Sequence, residues 1–173
     1  MSDSRNFIAL NIAVLTVSDS RTEADDKSGA LLVSLLQRDG HQLAEKCIVA
    51  DDKYHIREVL SRWIVDEQVN VILTTGGTGV TGRDGTPEAV EPLLDKVIDG
   101  FGEMFRKLSY DTIGSSTLQS RALAGVANGT YIFCLPGSSS ACRDGWTTLI
   151  NAQLDYRTRP CNLVELMPRL REV

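Results

Sequence analysis

Val71-Ile72-Leu73 runs directly into Thr74-Thr75-Gly76-Gly77-Thr78-Gly79, and Thr81-Gly82-Arg83-Asp84-Gly85-Thr86-Pro87-Glu88-Ala89 follows. The glycines at 76, 77 and 79 let a backbone turn sharply and approach a ligand with no Cβ in the way. Main-chain N–H groups there, with threonine hydroxyls between them, suit phosphate or carboxylate oxygens. Asp84 and Glu88 bracket the turn with negative charge, which a bare anion would resist. A phosphate bridged to Mg²⁺ would satisfy both halves. The pattern is neither a Walker A loop, since no Lys-Ser or Lys-Thr follows, nor the G-x-G-x-x-G dinucleotide fingerprint. It points to nucleotide or phosphorylated-cofactor chemistry.

Alternating strand and helix signals position this turn. Ile8 to Val17 reads as a central strand, and Asp25 or Asp26 caps a helix with Leu31, Leu32, Leu35 and Leu36 on one face. Gly40 stops that helix, and Leu43 to Val49 is a second strand. Asp51-Asp52 opens a helix whose Ile56, Val59, Leu60, Trp63 and Ile64 make the stripe of a helix lying on a sheet. Val71 to Thr75 is the third strand. Thr86 caps a further helix with Pro87 at its first position. Gly100 marks a break before a helix over Phe101 to Leu108, and Gly114 to Thr117 is a loop. Thr130 to Leu135 is a fourth strand. Pro136 to Ser140 leads into a helix reaching about Leu154, and Leu163 to Leu170 is a short helical segment limited by Pro160 before it and Pro168 near its end. Such repeated units imply a three-layer α/β/α fold, a mostly parallel sheet with helices on both faces.

Composition agrees. The 173 residues suit one domain over 1–173, with its core at about 8–157. A hydrophobic fraction of 42% and a charged fraction of 24% are ordinary for a globular protein. The net charge of -5 and the lack of a basic stripe argue against nucleic-acid binding. No apolar run is long enough to span a membrane, and Met1-Ser2-Asp3-Ser4-Arg5 has no signal-peptide character. Cys47, Cys134, Cys142 and Cys161 form no C-x-x-C pair and read as buried free thiols in a reducing cytoplasm. With only His41 and His55 beside them, a zinc site is not expected.

In an open α/β sheet, ligands bind beyond the carboxyl ends of the strands. Four turns should gather there: Ser18-Asp19-Ser20, Ala50-Asp51-Asp52, Thr75 to Asp84, and Pro136 to Ser140. Each also has a plainer reading. Asp51-Asp52 could be a helix-capping pair, Ser138 to Ser140 plain caps, and Asp19 a turn stabiliser.

The run from Thr74 to Ala89 resembles the Thr-Gly-Gly-Thr-Gly … Arg-Asp-x-Thr-Pro-Glu-Ala signature of the MoaB/MogA-type molybdopterin-binding family. Val17-Ser18-Asp19-Ser20, Val49-Ala50-Asp51-Asp52, Ser120-Arg121-Ala122-Leu123-Ala124-Gly125 and Leu135-Pro136-Gly137-Ser138 also resemble it, in family order over about residues 10 to 155. The resemblance implies adenylylation of molybdopterin with Mg-ATP and release of pyrophosphate. By position it implies Asp51 and Asp84 as catalytic residues, Asp84 as the Mg²⁺ ligand, and Ser18 and Ser109 as residues holding the pterin. Asp19, Gly76, Gly77, Thr78, Gly79, Glu88, Pro136, Gly137 and Ser138 complete the implied ligand-binding set.

The chain departs from many members at Ala50, where they have proline, and at Thr81-Gly82, where they have Ala-Pro. It also lacks their second proline after Gly137. Two readings therefore stand: an adenylyltransferase, and a non-catalytic pterin- or nucleotide-binding or assembly protein of the same pathway. The resemblance further implies a homo-oligomer with threefold contacts, a hexamer in preference to a trimer, and leaves room for other cofactor-synthesis proteins as partners. Tyr110, Ile113, Leu118, Tyr131, Phe133 and Trp146 are apolar residues that such an interface could use, or that could finish the core.

Overall fold

Strand residues point alternately to opposite sides of a sheet, and the sequence exploits this to feed two separate cores. The computed structural model describes residues 5–172, so the Met1 to Ser4 part of the N-terminal reading lies outside the described residues. The chain runs β1 (Asn11–Val17), α1 (Lys27–Arg38), β2 (Gln42–Val49), α2 (Lys53–Val65), β3 (Val71–Thr75) and a short α3 (Thr86–Val90). Next come β4 (Lys96–Val97), α4 (Asp99–Ile113), β5 (Leu123–Ala127) and β6 (Thr130–Leu135). α5 (Ser139–Asp144) continues through a π-helical stretch (Gly145–Ile150) into α6 (Asn151–Leu154).

The six-stranded sheet has the order β2-β1-β3-β6-β5-β4. β1 pairs in parallel with β2 and β3, and β3 with β6. β5 is antiparallel to β6, and the edge strand β4 is antiparallel to β5. Ile12, Val14, Val71, Leu73, Tyr131 and Phe133 face one core with the leucines of α1 and with Phe101 and Phe105 of α4. Ala13, Leu15, Ile72, Ile132 and Cys134 face the other, covered by Ile56, Leu60 and Trp63 of α2. The three-layer, mostly parallel architecture is as the sequence suggests.

Several details differ. β1 begins at Asn11 rather than Ile8. β4 and β5 carry no strand signal in the sequence: one is two residues long, and the other is built mainly of alanine, glycine and valine. Gly125 is needed there, because a Cβ would press against the Leu94 side chain and the Lys96 carbonyl. α4 begins before Gly100 and extends to Ile113, and the expected loop after it is a 3₁₀ helix (Gly114–Gln119). Thr86 is the first residue of α3 and not its cap; its hydroxyl donates to the Gly76 carbonyl at 2.9 Å.

Cys134 and Cys142 are buried, Cys47 is half-buried, and Cys161 is exposed, contrary to the expectation of four buried thiols. Tyr131, Phe133 and Trp146 belong to the core. Of the six residues considered for an interface, Tyr110, Ile113 and Leu118 are the exposed ones. Among the described residues no helix is long and apolar enough to cross a membrane.

Candidate functional site

The parallel strands deliver their C-terminal turns to one end of the sheet, as expected. At the centre, Gly76 and Gly77 adopt φ of 105° and 65°, a region that side chains other than glycine rarely enter. The turn is also packed too tightly for Cβ atoms. A Cβ on Gly76 would collide with the Val17 carbonyl, one on Gly77 would lie 2.8 Å from Asp51 Oδ2, and one on Gly79 would lie 2.7 Å from Asp84 Oδ2. The glycines therefore let two carboxylates close in on the turn.

The cradle of main-chain donors is narrower than the sequence suggests. The Gly76 N–H donates to Leu135 O at 3.0 Å and is not available to a ligand. Those of Gly77 and Thr78 meet no protein acceptor among the described residues. The Gly79 N–H is directed to Asp84 and helps to hold that carboxyl ionised.

Asp51 and Asp52 separate cleanly. Asp52 is the cap of α2, accepting from Tyr54 N at 2.9 Å and His55 N at 3.1 Å. Asp51 does no capping. Its Oδ1 accepts from Gly85 N at 3.0 Å, while Oδ2 faces Gly77. Burial raises the Asp51 pKa above the ordinary aspartate value; the Gly85 N–H opposes this, and the charges of Asp84 and Asp19 reinforce it. Asp84 shifts the other way. The Thr81 hydroxyl lowers its pKa most, against the opposing effect of burial, with help from the Thr81 and Gly79 N–H groups and the Arg121 charge. Thr81 Oγ1 and N lie 2.6 and 2.9 Å from Asp84 Oδ2.

Three arginines that the sequence reading did not single out brace these loops. Arg83 makes a two-pronged contact with Asp19, at 3.0 Å from Nε and 2.6 Å from Nη2. Asp19 Oδ1 also accepts the Asp51 N–H at 3.0 Å, so Asp19 ties the turns after β1, β2 and β3 together. Arg121 donates to Gly79 O and Asp84 O, each at 2.7 Å, and pairs with Glu88. The carboxylates of Asp19 and Glu88, two expected ligand contacts, thus hold protein partners. Arg21 reaches across from the β1 turn to Ser28 Oγ at 2.5 Å and Gly137 O at 2.9 Å. Arg83 and Arg121 both lie inside the motifs that mark these loops, and Arg21 directly follows Ser18-Asp19-Ser20.

Two cavities meet at the turn. The larger, of about 690 Å³, is lined by the Gly76 to Gly79 turn, Ser18 and Ser109, and by Pro136, Gly137 and Ser138. Phe105 and Ile113 of α4 provide apolar wall. The smaller, of about 580 Å³, is lined by Asp51, Asp52, Lys53, Arg83, Glu88 and Arg121 among others. Asp84 lines both. The sequence-derived residues other than Asp19 therefore line one or both cavities, with Ser18 and Ser109 on one side of Asp84 and Asp51 on the other; Asp19 lines neither.

Among the described residues no group of three or more His, Cys, Asp or Glu side chains could enclose a metal ion. Mg²⁺ ordinarily takes one or two carboxylates and completes its shell with water and substrate phosphates. Asp84 at the junction, with Asp51 Oδ2 accepting no hydrogen bond among the described residues, fits that mode of binding.

The family model described as "Probable molybdopterin binding domain" matches residues 13–156. The chain belongs to the molybdopterin-binding domain family. It is 54% identical over 159 residues to molybdenum cofactor biosynthesis protein B of Escherichia coli (strain K12), covering 92% of this chain and 94% of that protein. A crystal structure of a molybdenum cofactor biosynthesis protein B superimposes with a TM-score of 0.84 at 46% identity, covering 87% of this chain and 94% of that one. The tungsten cofactor synthesizing protein MoaB from Pyrococcus furiosus superimposes with a TM-score of 0.73 at 39% identity, covering 79% of this chain and 88% of that one. The matched span includes both cavities of this molybdopterin-binding domain and all four turns that line them.

Proposed function

We propose that the protein acts in molybdenum cofactor biosynthesis by transferring AMP from Mg-ATP to molybdopterin. The observation that carries this reading is the position of Asp84 on the shared wall of two cavities. One has the hydroxyls and apolar wall that suit a pterin. The other has the mixture of carboxylates and guanidinium groups that suits a magnesium-bound triphosphate.

In this reading the terminal phosphate of the pterin enters from the larger cavity and the ATP phosphates from the smaller. A pterin phosphate oxygen attacks the α-phosphorus, the bond between the α-phosphorus and the α–β bridging oxygen breaks, and pyrophosphate leaves with that oxygen. The Gly77 and Thr78 N–H groups hold phosphate oxygens, and Asp51 and Asp84 fix the geometry from either side of the turn. Mg²⁺ would neutralise charge developing on the departing pyrophosphate. Arg83 and Arg121 keep the carboxylate-bearing loops in register. No activated side-chain nucleophile is required, because the substrate phosphate already supplies the attacking oxygen.

The proposal extends to assembly as a homo-oligomer with threefold contacts, in which a hexamer is favoured over a trimer. Exposed Leu118, Tyr110 and Ile113 at the end of α4 and in the 3₁₀ helix after it support an interface there. The activity is tested by incubating the pure protein with molybdopterin and Mg-ATP and assaying adenylylated pterin. Binding of the pterin without product at high protein concentration would establish the non-catalytic reading instead.

A further inference from the structure

Arg21 is the sole cationic side chain lining the larger cavity among the described residues, and Asp84 is the sole anionic one. Their placement is polar. Asp84 packs against Gly79 at one end of the glycine turn. Gly137 backs onto the other end, where a Cβ would come within 3.3 Å of Gly76 Cα, and the Gly137 carbonyl is held by Arg21 Nη2. Cation and carboxylate thus flank the two ends of the same turn.

The guanidinium is also only partly used. It carries five N–H donors in a rigid fork. One goes from Nη1 to Ser28 Oγ and one from Nη2 to Gly137 O. The other three meet no hydrogen-bond acceptor among the described residues, and the side chain retains 33% of its exposure. Asp26 is the nearest counter-charge, 3.8 Å from Nη1. That carboxylate is already engaged at 2.8 Å by Lys46 Nζ, at 2.8 Å by Thr16 Oγ1 and at 3.0 Å by Gly29 N. Arg21 therefore has a fixed position, unused donors and incomplete neutralisation, beside the Ser18, Ser20 and Ser138 positions in the cavity wall. A fork of this kind recognises phosphate through parallel hydrogen bonds, which a lysine cannot reproduce.

We propose that Arg21 is the anion-recognising residue of the larger cavity and selects the phosphorylated pterin over its phosphate-free form. This rests on the reading of that cavity as the pterin site. It makes Arg21 a specificity-determining residue that touches substrate, beyond its ties to Ser28 and Gly137.

The test is calorimetric titration of the full chain with molybdopterin, with its dephosphorylated form and, separately, with inorganic phosphate. Arg21→Gln keeps an amide donor for Gly137 without the charge, Arg21→Lys keeps the charge without the fork, and thermal unfolding reports that each variant is folded. Arg21→Gln should weaken molybdopterin and inorganic phosphate about ten- to a hundredfold, the scale of a charged hydrogen bond, and leave the dephosphorylated pterin nearly unchanged. Arg21→Lys should fall between. Ser28→Ala, which removes one tie and keeps the guanidinium, should bind molybdopterin as the parent does. Equal weakening of both pterins by Arg21→Gln would make the residue a brace and overturn the proposal, as would no weakening of either. If the parent binds inorganic phosphate through Arg21 but binds neither pterin, the pterin reading fails and anion recognition stands. If the parent binds molybdopterin and Arg21→Gln is indifferent, the reverse holds. Binding of none of the three by the parent would refute both.

Discussion

Gly77 and Asp51 are fitted to each other: the carboxylate occupies the space where any larger residue at 77 would place its Cβ, 2.8 Å from Oδ2. The turn and the aspartate lie on different strands' ends, 26 positions apart in sequence, so the glycine serves tertiary packing as well as local backbone geometry. Gly77→Ala would add a methyl against both Asp51 and the Thr86 hydroxyl at a φ of 65°. The expected cost is about 1–3 kcal/mol in denaturant unfolding, with AMP transfer reduced more than stability alone explains. Parental stability and turnover in this variant would contradict the packing described.

Asp51 and Asp52 should behave differently despite being neighbours. Asp52→Ala removes the cap of α2 and should cost about 1 kcal/mol while leaving turnover close to parental. Asp51→Ala removes no cap and should depress turnover far more than it changes the unfolding midpoint. Equal effects of the two substitutions on turnover would remove the distinction.

The raised pKa of Asp51 gives a pH dependence with a definite sign. Transfer that needs the ionised carboxylate should rise with pH through a midpoint above the ordinary aspartate value of 3.8. Stability linked to this group moves oppositely. The folded state holds the proton more tightly than the unfolded one, so the Asp51 contribution falls as pH rises from the unfolded to the folded pKa. Asp51→Asn should abolish both dependences, measured by rate–pH profiles and by unfolding over the same range. A profile unchanged by that substitution would assign the ionisation elsewhere.

Arg121 clamps the signature loop through Gly79 O, Asp84 O and Glu88. Arg121→Ala should lower stability by about 1–3 kcal/mol, because two half-buried carbonyls lose charged donors, and should lower turnover through misplacement of Asp84. Glu88→Gln retains those two carbonyl contacts and should have the smaller effect on both readouts. A larger effect from Glu88→Gln would mean that Glu88 contacts substrate directly.

Much of this arrangement can be read in the sequence. The i, i+3, i+4 stripe of α2 and the apolar runs of β1, β3 and β6 mark elements whose periodicity is strong. The gathering of the four turns follows from the parallel connection rule. Other features depend on tertiary contacts that leave no local pattern. Leu123-Ala124-Gly125-Val126-Ala127 has weak strand propensity and is a strand because β6 and β4 pair with it. Thr86 looks like a cap, yet its hydroxyl serves the Gly76 carbonyl across the turn. Tyr131, Phe133 and Trp146 resemble interface residues until the sheet and its covering helices enclose them. The bracing roles of Arg83 and Arg121 require partners distant in sequence and become visible only in three dimensions.

Oligomerisation is expected to involve the exposed end of α4 and the 3₁₀ helix that follows, where Leu118 retains 82% and Tyr110 60% of their exposure. Light scattering at micromolar concentration should give the mass of a hexamer, with a trimer as the alternative threefold state. A mass near the 18.9 kDa of one chain would refute the assembly proposal. Leu118→Glu should shift the distribution toward smaller species if this face is used.

The shared position of Asp84 is tested most directly by single-turnover transfer from Mg-ATP to molybdopterin, counting pyrophosphate and adenylylated pterin in parent and Asp84→Asn proteins. The parent should release one pyrophosphate for each adenylylated pterin. The folded variant should still bind both substrates but transfer about a hundredfold more slowly or worse, the scale for loss of a key electrostatic group. Parental rates in Asp84→Asn, or no adenylylated pterin from the parent while it binds both substrates, would contradict the account.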